Sequence, residues 1–333
     1  MNITFETFKE RYVLQKETQG MAQQYAQWDA AGILTDTHVV DEAVIRTRNV
    51  QLSSFDEQEL EQILEAARQI REDPMALRYT NVCFKSLEEG QSETFYIKPK
   101  QEYGIMNMAP ILAFFAQMEA ADKDMRRRGI PEDHRLYING RLQASIKRYV
   151  DLNGFPGYQM VLFYWNRCFL KNSIFRLGEL QFEMRTMPSG RGDSGIDDGA
   201  PIIAVHIPRG AKIDDASRLQ SYREGLAFIK KYFPEFKPKA VYCCSWMLNP
   251  LLREILPETS KILAFQSDFR VFPSPSSSGT EVFGFVFPGE YPDYQSLPET
   301  TSLQRAVKQI YLDGGVLHVY GGVLDLERLG LSL

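Results

Sequence analysis

The run Gly178-Glu179-Leu180-Gln181-Phe182-Glu183-Met184-Arg185 decides how this chain folds. In an extended backbone, side chains alternate across the pleat. Leu180, Phe182 and Met184 therefore share one face, and Glu179, Gln181, Glu183 and Arg185 share the other. The apolar face needs a covering layer. The polar face either lines a cleft or is wet by solvent, with Glu183 paired to Arg185 or Arg176.

The same texture continues downstream. Pro201 to Pro208 is largely apolar, as expected of a central strand covered on both faces. Ser217 to Phe233 spaces Leu219, Tyr222, Leu226, Ile229 and Phe233 at helical intervals, and the helix stops at Pro234. Lys239 to Leu248 reads as another buried strand, after which Asn249-Pro250 opens a short helix, Leu251 to Leu256. Ile262 to Phe272 is expected as a strand, with Gln266 and Asp268 alternating against Phe265, Phe269 and Val271. A loop from Pro273 to Gly279, a strand from Glu281 to Phe287, a helix from Thr301 to Tyr311 and a strand-like run from Val316 to Leu324 complete this half. Alternating strands and helices of this kind predict a mixed α/β sheet covered by helices.

Upstream of Gly154-Phe155-Pro156-Gly157, expected as a hinge, the pattern is helical. Ser54 and Glu57 fit a capping box. Leu60, Ile63, Leu64, Ala67 and Ile70 then recur on one face until Asp73-Pro74. A second helix starts near Pro110, carries Ile111, Phe114, Phe115, Met118 and Met125, and ends in Arg126 to Arg128, cations suited to a last helical turn. A third spans Asp133 to Leu152, a short strand is expected at Thr94 to Ile97, and a helix at Tyr158 to Phe169. The expected organisation is a helical domain, residues 1–153, followed by an α/β (α+β) domain, residues 154–333. A chain of 333 residues is long enough for two cores.

Composition narrows the function classes. With 38 basic and 43 acidic residues the net charge is −5, which argues against a broad phosphate-binding surface and so against a nucleic-acid partner. Met1 to Glu10 has no apolar core of a signal peptide, and Pro110 to Met118 falls short of the roughly 18 to 20 residues that span a bilayer. A cytoplasmic protein without a membrane partner is the expectation. Cys83, Cys168, Cys243 and Cys244 lack metal-type spacing, so reduced thiols and no metal are expected. Arg191-Gly192-Asp193 spells an adhesion tripeptide, read here as an ordinary glycine-rich turn.

Gly178 to Glu183, Val205-His206-Ile207-Pro208 and Cys244-Ser245-Trp246-Met247-Leu248-Asn249-Pro250 together resemble a bacterial group of acyltransferase-domain proteins. That group joins a helical N-acyltransferase N-terminal domain to a GNAT-like C-terminal domain. The resemblance is clearest from about Tyr149 to Phe272. It implies acyl-CoA or acetyl-CoA as co-substrate and a small-molecule amine or peptide as acceptor. It also implies that the strand Pro201 to Pro208 feeds a loop and helix whose N-terminal amides hold the pyrophosphate, making Arg209, Gly210, Lys212 and Ser217 the cofactor-binding candidates. Two features depart from the family pattern: Gly210 stands alone where closely spaced glycines are usual, and Asp214 and Asp215 place negative charge beside the phosphates.

Acyl transfer to an amine needs a base, an oxyanion donor and an acid for the leaving thiolate. Glu183 and His206, on strands that such a sheet sets side by side, are the candidate bases. Gln181, Ser245, Trp246, Gln266 and Asp268 are the candidates for lining the substrate cleft, since open α/β sheets bind ligands beyond the carboxyl ends of their strands. A GNAT-shaped binding or scaffold protein that has lost the phosphate loop is the alternative. The oligomeric state is not legible.

Overall fold

The computed structural model describes residues 3–12, 14, 20–52, 55–89, 97, 100–135, 147, 149–151, 153–155, 157, 163–274, 278–287 and 291–333. The chain forms two compact units, Met1–Asn172 and Ser173–Leu333. The expected hinge at residues 154–157 lies within the first unit.

In the first unit the described residues form α1 (Phe5–Arg11), α2 (Met21–Ala30), α3 (Glu42–Leu52), α4 (Glu57–Glu72), α5 (Pro74–Glu89), α6 (Ala109–Arg127) and α7 (Phe163–Leu170). The apolar stripe of α4 buries Ile63, Leu64, Ala67 and Ile70. Its capping box is formed by Asp56 and Glu59 rather than by Ser54 and Glu57: Asp56 Oδ1 accepts from the Glu59 amide at 2.8 Å, and Glu59 Oε2 accepts from the Asp56 amide at 3.0 Å. The pair that forms it lies two residues further along, where the extended backbone of Asp56 enters α4. Asp73 both ends α4 and starts α5, its Oδ1 accepting from the Met75 amide at 2.9 Å, so that Pro74 falls where no amide hydrogen is needed. α6 buries Ile111, Phe114, Phe115, Met118 and Met125 as its spacing requires. Its terminal arginines have carboxylate partners: Arg126 donates to Asp122 at 2.6 Å and Arg128 to Asp124 at 3.1 Å. The expected helix at 133–152 and strand at 94–97 fall mostly outside the described residues; within them, Ile97 bridges Leu14.

The second unit is built on a six-stranded mixed sheet of β1 (Ile174–Leu177), β2 (Leu180–Thr186), β3 (Pro201–His206), β4 (Ala240–Ser245), β5 (Phe269–Pro273) and β6 (Tyr320–Leu324), in the order β1-β2-β3-β4-β6-β5. β3 and β4 are parallel, and the other neighbours are antiparallel. A parallel pair needs a crossover, supplied by α8 (Asp215–Tyr232). α8 covers the face that carries Leu180 and Phe182, with Gly225 directly over the Phe182 ring, while Phe175 packs against Phe228 at 4.8 Å. α9 (Leu252–Ile255), α10 (Lys261–Ser267), α11 (Phe283–Val286) and α12 (Ser302–Leu312) complete the unit. Among the described residues no helix is long and apolar enough to cross a membrane.

Two expected strands are replaced by helices. Residues 262–267 are in α10, because Ser260 caps the Ile262 amide at 3.3 Å and directs the chain into a helix before β5 begins at Phe269. Residues 283–286 form the single turn α11, whose Val286 is buried. Short apolar runs carry either period, and here a local cap and the tertiary setting decide.

A Cβ at position 225 would meet three carbons of the Phe182 ring at 2.6 Å. Gly225→Ala is therefore expected to lower unfolding stability by about 1–3 kcal/mol, measured by denaturant titration, despite the higher helix propensity of alanine.

Candidate active site

The β2–β3 register sets Gln181 opposite His206 and Glu183 opposite Ala204. Directly paired residues share a face, so Gln181, Glu183 and His206 project together from the side away from α8. Glu183 is diagonal to His206, and the Glu183 Oε2 to His206 Nε2 distance is 2.9 Å. With Glu183 ionised, its carboxylate only accepts, and the imidazole donates to it from Nε2. Arg185 approaches the same Oε2 at 3.6 Å. The side chain of Glu183 is 2% exposed and that of His206 is 24% exposed. The alternation of β2 allows its polar face to be a cleft wall or a wet surface. It is neither fully wet nor unpartnered, for Gln181 and Glu183 are buried. A buried carboxylate holding a partly exposed imidazole can orient that ring and stabilise it once protonated.

The pair stands where two central strands part. Pairing of β3 with β4 runs from Ile202 opposite Ala240 to Val205 opposite Cys243 and stops there. His206 on one strand, and Cys244 and Ser245 on the other, lie beyond the last pair, while Cys244 and Ser245 turn instead to Gly321 and Tyr320 of β6.

The loop after β3 is less open than a pyrophosphate cradle requires. Gly210 has φ of +79°, a left-handed turn that glycine adopts without strain. Arg209 donates to the Gly284 carbonyl. The Lys212 amide donates to Glu179 Oε2 at 3.2 Å, and the Ser217 amide to Asp214 Oδ1 at 3.0 Å. That amide hydrogen bond holds the Asp214 carboxyl below its usual range. Two of the amides expected to face phosphate thus already face carboxylates.

The remaining cleft candidates brace the sheet. Ser245 accepts from the Met247 amide at 3.1 Å, and Trp246 is buried. Gln266, 0% exposed, donates to the carbonyls of Asn249 at 2.9 Å and Met247 at 3.4 Å, and accepts from Arg253. It latches the turn that follows β4. Asp268, 1% exposed, accepts from Arg218 at 2.6 Å, Arg328 at 3.0 Å and Tyr222 at 3.3 Å. This knot ties α8 to the segment between α10 and β5. Gln266 and Asp268, expected as a wet stripe, are interior fasteners because residues 262–267 are helical. The adhesion-like tripeptide is no displayed loop either: Arg191 is buried, and the Asp193 carbonyl accepts from Arg270 at 3.2 Å.

Sequence reasoning does not single out Tyr242, and it takes Cys244 only as a reduced thiol and as part of the run that carries the resemblance. Both lie on the face of Glu183, since Ala204 pairs with Glu183 on one side and with Tyr242 on the other, and Cys244 follows Tyr242 by two positions. The period-two pattern of β4 is visible in the sequence, but its register against β3 is not.

Comparison with known proteins agrees with this architecture. Residues 174–324 match the family model for the GNAT-like C-terminal domain. Three solved structures are similar over 96% of this chain and 98% of their own. One is an acyltransferase in complex with decanoyl-CoA and teicoplanin (23% identity, TM-score 0.73). Another is a mutant acyltransferase in complex with octanoyl-CoA (21%, 0.71). The third is an acyltransferase in complex with CoA and 10C-teicoplanin (21%, 0.72). At such identities the likeness is one of fold, and it extends through the helical first unit. No curated protein matches the chain.

Removing a buried carboxylate from its donors leaves them uncompensated. Asp268→Ala is expected to cost about 3–5 kcal/mol of unfolding stability, whereas Arg328→Ala, at a half-exposed partner, is expected to cost less than about 1 kcal/mol. Chemical denaturation of the two variants checks the contrast.

Proposed function

We propose that this protein is an acyl-CoA-dependent N-acyltransferase acting on a small-molecule amine. The observation that carries the reading is the Glu183–His206 pair at 2.9 Å, set beyond the last β3–β4 pair of a GNAT-like sheet. A thioester lying where those strands part meets the exposed edge of His206. As the amine nitrogen adds to the thioester carbon, the pair takes up the proton it sheds, held as imidazolium against carboxylate. Glu183 orients the ring and His206 is the base. Collapse of the adduct breaks the carbon–sulfur bond, and the proton passes to the departing CoA thiolate. Amide and free thiol are the products.

The solved structures of similar fold hold CoA, octanoyl-CoA or decanoyl-CoA, which supports acyl-CoA as the donor and makes medium chains the first to test. Two of them also hold teicoplanin or its 10C derivative, which supports a small-molecule acceptor here without naming it. For the cofactor's phosphates, charge from the side chains of Arg209 and Lys212 carries the attraction, because the Lys212 and Ser217 amides are engaged by carboxylates.

Octanoyl-CoA at about 100 times its dissociation constant should stabilise the protein by about 2.7 kcal/mol in thermal unfolding. Glu183→Gln and His206→Ala should keep that stabilisation while slowing CoA release in the presence of an amine panel by about 10²–10⁴-fold. Full turnover in either variant removes the pair from the chemistry, and no stabilisation by any acyl-CoA removes the reading. The double variant Arg209→Ala/Lys212→Ala should weaken CoA binding by about 10–100-fold in calorimetry, with Ser217→Ala near wild type.

A further inference from the structure

The single turn α11 and the residue that closes it carry three phenylalanines, Phe283, Phe285 and Phe287. Phe287 is buried. Phe283 lies flat on Tyr294, with ring centroids 5.7 Å and planes 4° apart, and packs against Tyr311 of α12 at 4.6 Å. Those contacts fix the turn. Phe285 is 55% exposed and meets no aromatic ring among the described residues. A ring held in water on a fixed mount is a surface that a flat apolar group can cover.

Its surroundings say what that group is. Arg209, from the loop after β3, donates to the Gly284 carbonyl, whose oxygen lies about 3 Å from the Phe285 Cα by peptide geometry. The guanidinium and the ring are therefore neighbours. Arg209 keeps further N–H donors beyond that bond, and among the described residues it has no carboxylate partner. Space is open beside the bond, for a Cβ at Gly284 or at Gly210 would meet nothing within 4 Å. The turn also stands at the right end of the sheet. The Tyr311 hydroxyl donates to the Gly279 carbonyl, and Gly279 lies against Val316 and His318, just before β6 begins at Tyr320 opposite Ser245. That is the carboxyl end of β4 and of its parallel neighbour β3, where His206 lies and the strands part.

Resting on the acyltransferase reading, we infer that Phe285 is the stacking platform for the adenine ring of acyl-CoA. In that ligand one ribose joins a flat base to a pyrophosphate, which matches a ring beside a guanidinium that can still donate. The acyl tail is separated from the phosphates by the whole pantetheine arm, so a ring next to Arg209 serves the nucleotide end. Arg209 then has two tasks: it holds α11 through the Gly284 carbonyl, and it turns its remaining donors toward phosphate. A donor that ends at the phosphopantetheine, as a protein-borne thioester does, brings no base to the platform. Phe285 thereby sets a preference for free acyl-CoA.

Calorimetry with octanoyl-CoA and with S-octanoyl-phosphopantetheine, which lacks the adenosine part, tests the contact without knowledge of the acceptor. Phe285→Leu should weaken octanoyl-CoA binding by about 5–100-fold, the range for one base stacked on one aromatic ring, and leave binding of the shorter thioester unchanged. Phe285→Trp should bind octanoyl-CoA at least as tightly as wild type, and its added indole emission should be quenched by octanoyl-CoA and not by the shorter thioester. Because the ring is exposed, both variants should keep the wild-type thermal midpoint. Unchanged octanoyl-CoA binding in Phe285→Leu, or equal weakening for both ligands, overturns the assignment. A wild-type dimer that Phe285→Leu dissociates also overturns it, by giving the ring to a second copy of the chain. Failure of octanoyl-CoA to stabilise wild type in thermal unfolding overturns the acyltransferase reading itself.

Discussion

The antiparallel register between β2 and β3 is the constraint on which the site depends. Glu183 reaches His206 because Gln181 stands opposite His206 and the strands carry the two groups on the same face. A slip of one residue would turn Glu183 toward α8 and Phe182 away from Gly225. The same ladder therefore fixes the core and the dyad. Packing of Phe182 against the bare helix backbone at Gly225 pins the register from one face, and the carboxylate–imidazole pair benefits on the other.

The supports around this ladder are polar and buried. Asp268 gathers Arg218, Arg328 and Tyr222, and Gln266 latches the carbonyls of Met247 and Asn249. These contacts fix the N-terminal half of α8 and the turn after β4. They hold in place the two elements that border the parting of β3 from β4. Such groups are costly to leave unpaired in an interior, which is why each has several partners. Arg270 adds a tether between β5 and the 188–199 turn region through the carbonyls of Asp193 and Ser194.

Much of this was legible in the sequence, for reasons that can be named. The alternation of Leu180, Phe182 and Met184 gave β2 and its faces, the apolar run Pro201 to Pro208 gave a central strand, and both candidate bases belong to those strands. Their meeting was not legible, since a register is a tertiary fact. Gln266 and Asp268 are not placed by pattern alone, because Phe265, Phe269 and Val271 satisfy a period of two as readily as Ile262, Phe265 and Phe269 satisfy a helical one, and the cap at Ser260 decides for the helix. The carboxylates Asp214 and Glu179 were visible as charges. That they would claim the Ser217 and Lys212 amides required the loop's path.

The central claim is that β3 and β4 part to admit an acyl thioester beside the Glu183–His206 pair. A crystal structure with octanoyl-CoA bound tests it most directly. The account predicts a pantetheine arm passing between the strands beyond Val205 and Cys243, with the thioester carbon next to His206. An acyl-CoA bound elsewhere on the protein, with the ends of those strands closed against it, would contradict the account.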